Sequence, residues 1–180
     1  CPSGIVTGGI EAVHQLVDKL RLFGHQAYVV PVPPVHNPLL LQYRNYDVPF
    51  TNTVVDDHTN ILITTEVNPR ALDRYSSIQK AIWWLSVDFH EALKDPFDFA
   101  NPQAQAISHF AQSKYAHDYL SRKGIKEISY LTDYLNSIYF HRGRLKEKND
   151  VVLYTPVKGA ARYVQRRSEE HTSELQSQFR

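Results

Sequence analysis

Apolar and polar positions alternate along this chain in two different periods, and the changes of period mark out the elements. Ile10, Val13, Leu16, Val17, Leu20 and Phe23 recur at helical spacing, which predicts an amphipathic helix after Gly8-Gly9. Glu11, Gln15, Asp18, Lys19 and Arg21 would then face water. Glu11 stands in the first turn, where the helix dipole favours an anion, and Gly24 follows as a stop. Residues 27–32 form a short apolar run ended by Pro31, Pro33 and Pro34, a buried strand by this pattern. Residues 33–58 are weakly patterned, a long surface excursion with one short helix expected at 39–43; long loops in compact domains are often binding loops.

The second half of the pattern is more regular. Buried strands are predicted at 60–65, ending at Glu66, and at 80–87, ending at Asp88. A short helix fits 69–75, with Pro69 at its first position. Residues 89–102 are a predicted loop. A weaker strand covers 109–112, and Ser113 can cap a helix over 114–123, which Gly124 stops. One more strand is expected at 127–131, then a helical connector at 133–139, a charged turn at 143–150 and a fresh strand at 151–154. Strands alternating with helices imply an α/β fold, a parallel sheet with helices on both faces.

Composition adds exclusions. The chain has 180 residues, 42% hydrophobic and 22% charged, ordinary globular values. No apolar run approaches the roughly 20 residues of a membrane helix. A net charge of +1 gives no basic excess to argue for nucleic acid. The single cysteine, Cys1, excludes an intramolecular disulfide framework and a multi-cysteine zinc site and points to a reducing, cytoplasmic compartment. Residues 167–180 resemble the translation of a sequencing-library adapter over eleven consecutive positions, so they are expected to be artefactual and carry no functional weight. The absence of methionine and the start at Cys1 fit a piece of a longer protein.

Several catalytic motifs are absent. Gly4 and Gly9 have Walker-A spacing, but Ile10 and Glu11 stand where Lys and Ser/Thr are required. There is no dinucleotide fingerprint, which argues against an epimerase or dehydrogenase, and no nucleophile elbow. His90-Glu91 begins like a zinc-protease helix, but Lys94 occupies the second histidine position. Neither a metal site nor a cofactor is expected.

What remains is a set of residues placed where ligands bind. Gly8-Gly9 precedes a helix whose free N–H groups could meet a phosphate or hydroxyl; a tight strand-to-helix turn would use the same glycines. Glu66, Asp88 and Gln112-Ser113 each fall at the C-terminal end of a predicted parallel strand, the edge along which open α/β sheets bind ligands. Singly they would be solvated loop ends and a helix cap; their coincidence makes the edge a candidate substrate site. His14, one turn from Gly9, is either a partly buried helix residue or a ligand contact. Trp83-Trp84 is expected in the core.

The run Gly8-Gly9-Ile10-Glu11-x-x-His14-Gln15-Leu16-Val17-Asp18-Lys19-Leu20, with Gly24-His25-x-Ala27-Tyr28, resembles the N-terminal half of bacterial GT-B glycosyltransferases of the family-4-like type. Lys80-x-Ile82-Trp83-Trp84-Leu85-Ser86-Val87-Asp88, Gln112-Ser113-x-Tyr115-Ala116 and Leu131-Thr132-Asp133-Tyr134-Leu135 resemble one branch of them, though Phe89 stands where that branch carries Asn. Val151-Val152-Leu153-Tyr154-Thr155-Pro156-x-Lys158-Gly159 looks like that branch's first strand of a second domain. The resemblance covers residues 1–165 in order. It implies a Rossmann-like, acceptor-side domain over 1–142, and a linker and truncated second domain over 143–166. It also implies a nucleotide-sugar donor, a glycan or glycoconjugate acceptor at the cell surface, and peripheral membrane association as an open question. Gly8 and Gly9 would approach the donor phosphates or the acceptor, while donor-binding basic residues would lie beyond residue 166. The chain alone would be inactive. A non-catalytic α/β module binding sugars or nucleotides is the alternative, and the strand at 151–154 is what such a module would not need.

Overall fold

The computed structural model describes residues 1, 7–34, 43, 45–46, 48–93 and 97–134. Residues 1–135 form one compact unit. The sequence-predicted helix at 39–43 apart from Tyr43, the connector beyond Tyr134, the charged turn, the strand at 151–154 and the tail at 167–180 lie outside the described residues.

Four strands, β1 (Ile61–Thr65), β2 (Gln79–Trp84), β3 (Ser108–Ala111) and β4 (Ile128–Tyr130), form one sheet in sequence order. Every pairing is parallel. Helices α1 (Gly8–Leu22), α2 (Val87–Glu91) and α3 (Lys114–Arg122) complete an α/β, Rossmann-like arrangement. Parallel neighbours need crossovers, and each crossover places a helix or turn over the sheet.

The central strand β2 shows why the sheet must be covered on both sides. Ala81, Ile82, Trp83 and Trp84 are all buried, the continuous apolar run expected of a strand with two covered faces. Ile82 and Trp84 pack with Leu72, Ala111, Ala116, Tyr119 and Leu120, a core closed by α3. Trp83 points the other way and donates its indole Nε1–H to the Leu131 carbonyl at 2.7 Å. Leu85, which continues the Trp83 series, meets α1 at Gly9. Both tryptophans are core residues, as their alternation predicts.

A second core lies around α1, where Ile10 and Val17 pack with Val29, Tyr43, Tyr46 and Val48. The predicted strand at 27–32 appears only as isolated pairing. Val29 N–H donates to the Pro49 carbonyl and Thr51 N–H to the Val29 carbonyl, both at 2.9 Å. The Cys1 amine reaches the Val30 carbonyl at 2.8 Å, and Val32 N–H reaches the Cys1 carbonyl at 2.7 Å. Pro31 and Pro33 have no N–H to give, so the ladder cannot extend.

Three other expectations change. The helix begins at Gly8, because Thr7 caps it and accepts a bond from Ile10 N–H at 3.4 Å. Gln15 does not face water: it is buried and donates to the Tyr46 hydroxyl at 3.1 Å, which in turn donates to Glu11 at 2.9 Å. Phe23 follows the last helical residue and is 76% exposed, off the apolar face. Gly24 and Gly124 do end their helices with φ of 88° and 90°, a conformation that disfavours any side chain with a Cβ.

The N-terminal ends of β1 and β2 are tied together by Asp56. Its carboxylate accepts from Ser76 N–H and Oγ, Ser77 N–H and Ile78 N–H at 2.8 to 3.1 Å. These donors, Ser76 N–H foremost, hold its carboxyl down to about 2 from 3.8. A lowered carboxyl stabilises the fold fully above its unfolded value, and that contribution is lost as pH falls toward 2. Asp56→Asn should therefore lower the urea midpoint at neutral pH and flatten its decline between pH 3.8 and pH 2; an unchanged acid slope would show that the grip is not formed in solution.

Candidate functional site

The C-terminal ends of the four strands converge on one edge, and the polar residues there are built from the loops that leave each strand. Glu66 directly follows β1 and is 2% exposed. Its Oε2 accepts the Leu85 N–H at 2.9 Å, a bond that ties the end of β1 to the end of β2. The Glu66 carbonyl accepts from His90 Nδ1 at 3.2 Å. Glu66 is thus a brace inside the edge rather than an open strand end.

β2 stops at Trp84, three residues before the predicted end at Val87. Ser86 takes the N-cap position and Val87 turns into α2, so Asp88 lies in the first turn of a helix and not at a strand terminus. Val87 remains buried because the helix, not the strand, now carries it into the core. Asp88 is exposed and accepts a 2.6 Å bond from the Tyr115 hydroxyl. That bond is the first cause of a raised Tyr115 pKa. Beside this pair, Phe89 is 48% and Tyr115 57% exposed.

β3 leads to Gln112 and Ser113. Gln112 Nε2 donates to Asp133 at 2.7 Å. Ser113 caps α3, accepting from Ala116 N–H at 3.3 Å, which is the cap the sequence predicts. Gly8 and Gly9 lie in the first turn of α1 with no left-handed φ. A Cβ at Gly8 would meet nothing within 4 Å, and one at Gly9 would make ordinary contact, 3.5 Å from Leu85 Cδ1. The pair is neither a loop nor a strained turn; Thr7 starts the helix and makes both glycines helical.

The structure therefore gathers Gly9 and Glu66 around Leu85 and sets Asp88 against Tyr115. His14 stands apart. It is buried, its Nδ1 2.8 Å from the Ile10 carbonyl and its ring stacked on Tyr43 at 4.7 Å. Burial, the largest cause, lowers its pKa. Tyr43 accepts from Thr7 N–H at 3.0 Å and donates to the Thr7 carbonyl at 3.2 Å, so His14 belongs to the α1 core.

Tyr115, Phe89 and Asp133 are edge residues that position alone did not single out. Tyr115 could have been found from the Ser113 cap, which places it in the first, outward-facing turn of α3. Chemically the edge offers carboxylate acceptors, amide and hydroxyl donors, and half-exposed rings, the polar-tipped apolar surface typical of aromatic recognition. Among the described residues no group of three His, Cys, Asp or Glu side chains could hold a metal ion, and no helix is long and apolar enough to cross a membrane. No known family, curated protein or solved structure matches the chain.

Two substitutions separate bracing from binding. Glu66→Ala strips the Leu85 N–H of its buried acceptor and should cost about 1–3 kcal/mol in urea unfolding. Ser113→Ala should cost about 1 kcal/mol, the value of an N-cap. A cost near zero for Glu66→Ala would contradict the brace.

Proposed function

We propose that this chain is the acceptor-side, Rossmann-like domain of a glycosyltransferase that moves a sugar from a nucleotide-sugar donor to a glycan or glycoconjugate at the cell surface. The observation that carries the reading is the Asp88–Tyr115 pair beside the exposed Phe89 ring, on the C-terminal edge of an all-parallel sheet. Sugars present hydroxyls that a carboxylate and a phenol can bind, and C–H faces that an aromatic ring can cover. The ordered motifs from Gly8 to Gly159 support the family assignment. Gly8, Gly9 and the N-terminal amides of α1 are suited to a developing negative charge, and Ser113 would help to shape the acceptor side. Donor recognition falls to residues outside the described part.

A second reading, a sugar- or nucleotide-binding module without catalysis, draws on a specific observation. Glu66, Asp88 and Asp133 each already hold a group of this chain, Leu85 N–H, the Tyr115 hydroxyl and the Gln112 amide. A carboxylate so engaged is better placed to orient a ligand than to act as a general base.

Saturation-transfer NMR on the 180-residue chain, with neutral oligosaccharides and UDP- and GDP-sugars as probes, tests these readings. The expected result is oligosaccharide contact at the edge, about tenfold weaker in Tyr115→Ala as one hydrogen bond and one ring contact are lost. A radiolabelled donor should give no transfer. Transfer by the chain alone would overturn the half-enzyme reading. Nucleotide-sugar binding with no saccharide contact would overturn the acceptor-side assignment.

A further inference from the structure

Beneath the edge lies a cluster that the proposed function does not use. Trp84, His90, Phe97, Phe99, His109 and Tyr119 stack around one another, with ring centroids 5.0 to 6.2 Å from Trp84. The two histidines in it, His90 and His109, are each almost fully buried, and their hydrogen bonds settle which nitrogens carry protons.

His109 has both nitrogens engaged. Trp84 Nε1–H can only donate, so His109 Nδ1, at 3.0 Å, must accept. His109 Nε2 must then be the protonated one, donating to the Ala104 carbonyl at 2.9 Å. A second proton could enter only by breaking the tryptophan bond. His90 differs. Its Nδ1 faces the Glu66 carbonyl, which can only accept, so Nδ1 carries the proton. Its Nε2 is left as a bare lone pair, the one buried side-chain polar atom without a hydrogen-bond partner among the described residues. It is a basic nitrogen that can take a proton without first breaking any bond.

We propose that His90 is the pin of an acid-released latch: neutral, it holds α2 on the Glu66 carbonyl; protonated, it leaves the aromatic cluster for water, carries α2 with it and loosens the sheet edge.

The geometry gives the latch its reach. Glu66 is held through its backbone by His90 and through its side chain to Leu85, so a displaced His90 loosens the junction of β1 and β2. α2 is a five-residue helix, too short to persist without its packing. Asp88 rides on its first turn, so the bond to Tyr115 is lost when it moves. A new N–H at Nε2 would find no acceptor in the closed form, and an unmatched buried charge is costly.

Among the described residues, the charged and titratable neighbours of His90 are committed to other groups or neutral. On α2 itself, Asp88 is bound to Tyr115, and Glu91 lies 3.6 Å from Lys123, just past the end of α3. Lys123 also sits over the Phe99 and Tyr119 rings. From α3, the Tyr119 hydroxyl is pushed up to about 12, by burial first, and stays neutral; Arg122 acts on it from the same helix. From β1, the Glu66 carboxylate is given to Leu85; from β3, His109 is committed to Trp84. Burial holds His90 below the ordinary value of 6.5; the Glu66 carbonyl and Glu91 oppose the shift and Lys123 adds to it. A histidine lowered in the closed form stabilises that form above 6.5 and withdraws the contribution as pH falls below it.

The test is a pH titration of the ¹⁵N-labelled 180-residue protein from about pH 8 to about pH 5. It follows the His90 ring nitrogens, the Trp84 indole N–H, hydrogen exchange at the Leu85 amide, and the amides of the β1–β2 ladder. The expected result is a rise of at least about tenfold in Leu85 exchange, in step with His90 protonation, while the ladder stays protected. His90→Asn keeps a donor for the Glu66 carbonyl and His90→Phe keeps the ring; neither titrates, and the step should vanish in both. His109→Gln should retain it. The proposal fails if His90 titrates with no change at Leu85, if no step occurs, if the ladder opens together with Leu85, if the step survives in a folded His90 variant, or if it is lost with His109 alone.

Discussion

The Trp84 indole N–H is the constraint from which much of this fold follows. It sits at the end of the central strand with no access to water, and a buried donor without an acceptor is among the more costly defects a core can carry. The acceptor comes from the neighbouring strand, His109 Nδ1. That choice fixes the histidine's tautomer, and the tautomer demands a carbonyl for Nε2. The 3₁₀ turn Pro102–Ala106, directly ahead of β3, supplies it at Ala104. One polar atom thus dictates the residue on the next strand and the backbone turn that precedes it. The remaining ring surface is covered by Phe97, Phe99, His90 and Tyr119.

The same economy shapes the C-terminal edge. A parallel sheet delivers all its strand ends to one side, and each end must resolve backbone groups that the ladder no longer pairs. Glu66 resolves Leu85 N–H, Leu131 resolves its own N–H on the Ala111 carbonyl while its carbonyl takes Trp83, and Ser113 starts α3. What is left over, Asp88 with Tyr115 and Gln112 with Asp133, faces outward as polar surface. Internal bracing and outward polar surface are divided between neighbouring residues of the same loops.

Elements fixed by local pattern were legible in the sequence. The strands from β1 to β4, the Ser113 cap and the glycine stops at 24 and 124 all depend on periodicity, a capping hydroxyl or a positive φ, and each shows in a short window. What was not legible depends on partners distant in sequence. Gln15 looked like a water-facing helix residue, yet Tyr46, 31 positions away, gives it a buried hydroxyl. His14 offered two readings that only the Tyr43 ring decides. Asp88 shifted from strand end to helix because α2 begins at Val87, which is needed in the core. Tyr115 gained its importance only from Asp88, 27 residues before it. Proline had the opposite effect at 27–32, where a strand-like composition meets backbone that cannot donate.

Asp56 has a bearing on how the chain finds its register. Adjacent parallel strands are joined by no hairpin, so no tight turn counts residues between them, and a slip by one would send Ile82 and Trp84 to the opposite face. A carboxylate that grips three consecutive amides, 20 to 22 residues downstream, acts as a non-covalent staple at the entrance to both strands. It closes a loop whose entropic cost depends only weakly on length, and it does so just upstream of the first ladder pair, Ile61 with Gln79. Alignment of the sheet is thereby set at the end opposite to the polar edge, and residues at that edge are relieved of the task of keeping the strands in step.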